Sequence, residues 1–239
     1  ADHQIYGHNG FVYEGMYLGF RWIYDRSYMD FDKTVHAIGV ELDCSRDGTT
    51  WTRVGAGQPF MPMNPDRDTW DADEARPIKP LVVGDELWIY YSSRLSPVVY
   101  TNMFENKPNP REHQQDIFSL ALAKLRLDGF ASLNAGDEPG TIVTRPLTFK
   151  GKKLYVNAEV AEGGYLKAEL RKITSEIRDR GPEDAVEPYT LGRCTPVTGD
   201  VLRAQVSWGD EKTIEHDAKE SLRVVFELKK AKLYSFWIE

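Results

Sequence analysis

One stretch of this chain is written twice, first from Val12 and again from Val83. The first copy runs Val12-Tyr13-Glu14-Gly15-Met16-Tyr17-Leu18-Gly19-Phe20. The second runs Val83-Gly84-Asp85-Glu86-Leu87-Trp88-Ile89-Tyr90-Tyr91-Ser92. Each is a turn followed by an aromatic-rich run with strand character. Each leads to a further strand that closes on an Asp-Gly turn: Val40 to Cys44 into Ser45-Arg46-Asp47-Gly48, and Ser119 to Leu127 into Asp128-Gly129. A repeat of this length with such turns predicts sheet blades around an axis, a β-propeller. That architecture places chemistry at a central cleft and needs more than two blades to close.

The 239 residues allow one large or two modest domains, and 41% hydrophobic residues suffice for a sizeable core. Aromatic residues at 12% fit strand packing and sugar-stacking surfaces equally well. A formal charge of −7 argues against a nucleic-acid backbone or an anionic membrane as the main partner. Two cysteines, Cys44 and Cys194, make no disulfide framework, and no paired Cys/His spacing points to zinc. No apolar run reaches the length of a membrane span. The chain begins at Ala1 rather than Met, as a processed or trimmed chain would.

Along the chain, residues 1–10 read as a polar connecting arm, and residues 11–24 as one or two strands. Ser45-Arg46-Asp47-Gly48-Thr49-Thr50-Trp51 resembles an Asp-box turn. There Ser and Asp side chains bond turn amides, Gly takes positive φ and Trp packs beneath the hairpin. Residues 55–80 and 94–117 read as long loops of the kind that carry function. Leu81 to Ser93 reads as two strands across the Gly84-Asp85 turn. Composition shifts at Gly136-Asp137-Glu138-Pro139-Gly140, which places a domain boundary there: residues 1–139, then 140–239. The second part shows short strands over 141–147, 153–160, 165–172, 201–208, 222–228 and 231–238, the pattern of an antiparallel β-sandwich.

The strings Tyr13-Glu14-Gly15-Met16-Tyr17-Leu18-Gly19, Ser45 through Gly55, and Leu125-Arg126-Leu127-Asp128-Gly129-Phe130 carry a family resemblance. With the closing Leu233-Tyr234-Ser235-Phe236, the chain resembles the glycoside hydrolase family 32/43 superfamily of five-bladed propellers, in particular a bacterial glycosidase-like branch. The expected fold is therefore all-β: the last blades of a five-bladed β-propeller, then a C-terminal antiparallel β-sandwich. The resemblance covers the C-terminal half of such a protein. The blades that supply the nucleophile or base aspartate would come from an N-terminal fragment or from further copies of the chain. It implies hydrolysis of a poly- or oligosaccharide by an acid/base carboxylate mechanism, in a secreted or periplasmic setting whose signal lies outside this sequence. It leaves a calcium ion at the axis as an open alternative. A rival expectation is a non-catalytic carbohydrate-binding or assembly module.

The loop Trp70-Asp71-Ala72-Asp73-Glu74-Ala75-Arg76-Pro77 is the strongest chemical candidate. Glycosidic cleavage needs one acid to protonate the leaving oxygen and one carboxylate to attack or to activate water. In the superfamily the acid is a Glu shortly before a Pro, and Glu74 followed by Pro77 resembles it, with Arg76 intervening. The loop's acids equally fit a solvated turn, or a metal held by Asp71 and Asp73. Arg76 would hold a substrate carboxylate or neutralise its acidic neighbours. Trp22, Trp70 and Tyr91 are candidate sugar-stacking rings, with Arg94 and His113 as further substrate contacts. His36 reads as a structural strand histidine and His8 as one that could line the cleft. Trp51 and Trp88 read as packing residues. There is no phosphate loop, nucleophile elbow or metal-protease helix.

Overall fold

A computed structural model describes residues 3–25, 38–62, 64, 69–95, 117–173 and 185–239. The protein is all-β, and among the described residues the single helical turn is a 3-10 segment at Val54–Gly57. The chain divides into two compact units, Ala1–Phe130 and Ala131–Glu239. The division falls ahead of the Gly136–Gly140 stretch because Leu133–Ala135 already pairs with a strand of the second unit.

In the first unit β1 (His3–Tyr13), β2 (Met16–Asp25) and β3 (Ile38–Ser45) form an antiparallel meander, and β4 (Thr52–Arg53) pairs with β3. Residues 3–10, read from sequence as a connecting arm, thus belong to β1. Polar residues suit this strand because one of its faces carries the charged side chains described below. A second meander follows: β5 (Glu74–Pro77) and β6 (Leu81–Val83) pair with opposite ends of β7 (Glu86–Leu95), and β8 (Ile117–Arg126) pairs with the whole of β7. The meanders join through one parallel bridge, Ile38 to Glu74. The result is one curled eight-stranded sheet.

The curl is closed by aromatic packing. Alternation along β1 to β3 sends Phe11, Leu18, Phe20, Val40 and Leu42 to one face, where they form the core. Phe60 stacks on Phe20 at 5.2 Å, and Phe130 lies 6.0 Å from Phe11 and 5.0 Å from Tyr13. The Tyr13 hydroxyl donates to Asp128 Oδ1 at 2.6 Å and ties the first hairpin to the turn after β8. Burial, reinforced by Asp128, pushes the Tyr13 phenol well above the ordinary tyrosine range.

The Asp-box geometry follows its residues. Gly48 has φ +75°, Ser45 Oγ accepts from the Gly48 amide at 2.9 Å, and Asp47 Oδ1 accepts from the Thr49 and Thr50 amides at 2.8 and 2.7 Å. The Trp51 indole donates to the Gly48 carbonyl at 3.2 Å.

The second unit differs from six short strands. It has two long strands, β11 (Leu154–Lys172) and β13 (Leu222–Ile238), flanked by β9 (Leu133–Ala135), β10 (Gly140–Val143) and β12 (Gly199–Gln205) in one five-stranded sheet. Glu162-Gly163-Gly164, which lies between the strands read over 153–160 and 165–172, is a bulge within one strand: pairing passes from Val160–Ala231 to Tyr165–Lys229. A Cβ on Gly164 would sit 2.4 Å from the Lys229 carbonyl, so the strands can approach there only at glycine. Both halves of β11 turn even-numbered side chains, Leu154 to Val160 and Leu166 to Leu170, into one core around Trp208 and Phe226.

Two outcomes follow. Phe20→Ala should cost about 3–5 kcal/mol of unfolding free energy by urea titration, because Phe20 is wholly buried at the centre of the stack. Asp47 is held well below the usual carboxylate range by the Thr50 and Thr49 amides, with the Ser45 hydroxyl adding to them. Its depressed pKa means that its contribution is complete above about pH 4 and is lost only as pH falls through its own lower value. In an NMR acid titration, the Thr49 and Thr50 amide shifts should hold through the range where ordinary aspartates protonate. Asp47→Asn, whose side chain does not titrate, should abolish the change in those amide shifts that the unaltered protein shows at still lower pH.

Candidate functional site

Of the predicted segment, Glu74–Pro77 forms β5 and Trp70–Asp73 is the turn leading into it, held between neighbouring strands by main-chain bonds. The Ile38 amide donates to the Asp73 carbonyl at 2.9 Å, and the Asp73 amide to the Arg94 carbonyl at 3.2 Å. Glu74 is opposite Arg94, Arg76 opposite Ser92 and Pro77 opposite Tyr91. This order exists because an edge of β7 is free at its C-terminal end, beyond the short β6. Ser93 Oγ donates to the Glu74 carbonyl at 2.7 Å and fixes the backbone.

Glu74 is buried, 6% exposed, and accepts a hydrogen bond from Arg76 across a close ion pair. The Arg76 guanidinium lies over the Tyr6 ring at 5.1 Å, and its Nε is buried without an acceptor. Asp71 Oδ1 accepts from Asn64 Nδ2 and Thr69 Oγ1, both at 2.9 Å. Trp70 is 41% exposed and stacks on Tyr91 with centroids 6.4 Å apart. Burial, then the Asp71 charge, raises the Tyr91 phenol above its ordinary value. Asp73 is fully buried. Trp22 packs on the core, and its indole N–H is buried without a partner.

Glu74 and Arg76 therefore share one face of β5, while Tyr91, opposite Pro77, lies on the other face together with the Trp70 ring stacked on it and the Asp71 charge beside it. Arg94 stands opposite Glu74 in the backbone register, but its guanidinium lies over Phe118 at 4.7 Å. His113 and His36 lie outside the described residues. Among the described residues, no group of three or more His, Cys, Asp or Glu side chains is arranged to hold a metal ion.

Sequence reasoning passed over a second polar cluster. The register pairs His8 with Arg21, Arg21 with Glu41, Gly19 with Asp43 and Asp43 with Arg53, so these side chains share the face opposite the aromatic core. Asp43 is fully buried; Arg21 donates to its Oδ2 through Nε at 2.8 Å and a terminal nitrogen at 2.6 Å. His8 Nε2 stands 3.4 Å from the same oxygen. Arg53 forks onto both oxygens of buried Glu41, and that bond raises the Arg53 pKa. The signal lay in the alternation Val40-Glu41-Leu42-Asp43, a strand with one apolar and one acidic face. Asp43 lies about 16 Å along β3 from Ile38, the bridge partner of Glu74, at roughly 3.3 Å per residue. That exceeds the spacing of about 5–9.5 Å within which two carboxylates share one glycosidic bond. The two clusters are therefore separate places on the sheet.

No protein-family model matches the chain, and no curated protein matches it in sequence.

Replacing Asp71 by Asn should bring the Tyr91 phenol part of the way back towards its ordinary value. Burial, the larger cause, should keep the remainder; NMR titration of ring-labelled tyrosine checks this.

Proposed function

We propose that the N-terminal unit is a carbohydrate-active module of glycosidase type, with Glu74 as proton donor to the leaving oxygen and Trp70 as the ring on which a sugar stacks. The observation that carries this is a buried carboxylate, Glu74, paired with a guanidinium whose Nε has no acceptor. A saccharide offers a glycosidic oxygen to Glu74 and hydroxyl oxygens to Arg76, and the exposed Trp70 indole, a little earlier in the chain, offers an apolar surface to a sugar ring. On this reading the partner carboxylate is supplied by an N-terminal propeller fragment or by further copies of the chain. Two antiparallel meanders that, among the described residues, share only one parallel bridge of backbone pairing, the first closed by an Asp-box hairpin, support their assignment as adjacent blades of a five-bladed propeller. The bent second unit, whose two halves enclose one core, takes the place of the sandwich domain.

A second reading, a non-catalytic carbohydrate-binding module, is favoured by the Arg76–Glu74 ion pair. A carboxylate engaged as an acceptor presents no proton to a leaving group.

Reducing-end release from a polysaccharide panel, run beside calorimetric binding, separates the two. Glu74→Gln should cut turnover by roughly 10²–10⁴-fold and spare binding. Trp70→Ala should weaken binding several-fold, the worth of about 1 kcal/mol of stacking. Unchanged turnover in Glu74→Gln removes that residue from the mechanism. Binding without turnover in the unaltered protein establishes the second reading.

A further inference from the structure

The Asp43 face raises a separate question. Arg21 directs both of its donors at Oδ2, although a guanidinium fork matches both oxygens of a carboxylate. Oδ1 is left buried with no hydrogen-bond partner. An unpaired buried acceptor costs about 1–3 kcal/mol, and more when charged, so a donor belongs there. The surroundings say what kind. Asp43 is neutralised by Arg21 and Glu41 by Arg53, so the face has no surplus charge to attract an ion. An anion would meet a bare carboxylate oxygen. A cation would need more acceptors than the face offers. A neutral hydroxyl is what remains.

An aromatic ring is already in place for the rest of such a ligand. Trp51 is half-buried, its N–H is held by the Gly48 carbonyl, and its ring meets the edge of His8 at 4.5 Å. The His8 ring rests on Gly19, where a Cβ would come within 2.3 Å of it. The His8 side chain is 30% exposed, and rotation about its first torsion lifts the ring off a floor that has no side chain of its own.

We propose that this face is a second saccharide-binding site, in which Asp43 Oδ1 accepts a hydroxyl of a neutral sugar stacked beside Trp51, with His8 as the movable cover. It lies apart from Glu74 and stands whether or not Glu74 is catalytic.

The test uses the whole chain, isotopically labelled, titrated with neutral gluco-, manno-, galacto-, xylo- and arabino-oligosaccharides at millimolar concentration. The Gly10 and Gly19 amides report the floor by NMR, and calorimetry gives the affinity. In Asp43→Asn, Arg21 keeps the amide oxygen at the Oδ2 position and an NH2 donor takes the place of Oδ1. Binding reported by Gly19 should weaken roughly 10- to 100-fold, the loss of one charged acceptor. Trp51→Ala, which leaves the buried Arg21–Asp43 pair intact, should weaken it as well. Glu74→Gln should leave the Gly19 response in place, so failure at Glu74 and failure here read differently. Three results overturn the proposal: no Gly19 shift with any sugar, Asp43→Asn binding like the unaltered protein, or shifts that follow protein concentration instead of sugar. The last would make the face a surface between copies of the chain.

Discussion

Closure of the first sheet depends on the stack of Phe11, Phe20, Phe60 and Phe130. Strands β1 and β8 stand at opposite ends of the hydrogen-bonded order, and no ladder joins them. Their approach rests on Phe130 packing against Phe11 and Tyr13, and on the hydrogen bond from Tyr13 to Asp128. Apolar burial is non-directional, so by itself it would accept many curvatures. The Tyr13 hydrogen bond selects one of them, because a half-buried phenol left unpaired would cost free energy.

This curl separates the sheet into chemically distinct faces. One side of β1 to β3 is filled by aromatic and aliphatic residues. Its reverse bears His8, Arg21, Glu41, Asp43 and Arg53, with both acids buried. Charges out of water persist only when paired, and each acid on this face has its arginine. Glu74 and Arg76 repeat the arrangement at the join between the meanders. Of the buried carboxylates among the unit's described residues, Glu41, Asp43 and Glu74 each face a guanidinium, so their chemistry is a matter of which oxygens the arginines leave uncovered. Asp43 Oδ1 is such an oxygen.

The second unit shows the same economy with different means. Two long strands supply most of its core, and a bulge lets each strand serve both halves. Its buried ion pair, Arg171 to Glu169 at 2.6 Å, also uses the second carboxylate oxygen, which accepts from the Leu191 amide at 3.1 Å. Cys194 is buried there, and burial raises its thiol pKa, which marks it as a core residue rather than a nucleophile.

Local signals were legible in the sequence wherever a few neighbouring residues decide the outcome. The all-β class, the hairpin turns at Glu14-Gly15 and Gly84-Asp85, the Asp-box geometry and the strands β7 and β8 follow from alternation and turn chemistry, which act over a handful of residues. The nearness of Trp70, Asp71, Glu74 and Arg76 was visible because those residues are adjacent in the chain. Tertiary structure decided the rest. Gly163-Gly164 fits a turn or a bulge equally well, and only the partner strand running on past it makes it a bulge. Residues 3–10 became strand because β2 offered them a ladder. The meeting of His8, Arg21, Asp43 and Arg53 depends on the register of four strands, and a one-residue slip in any of them would turn its side chains to the other face. Register is set by long-range pairing and core burial, which is why that cluster could not be read from residue order alone, whereas the pairing of Arg76 with an acidic neighbour could, because the two residues are close in the chain.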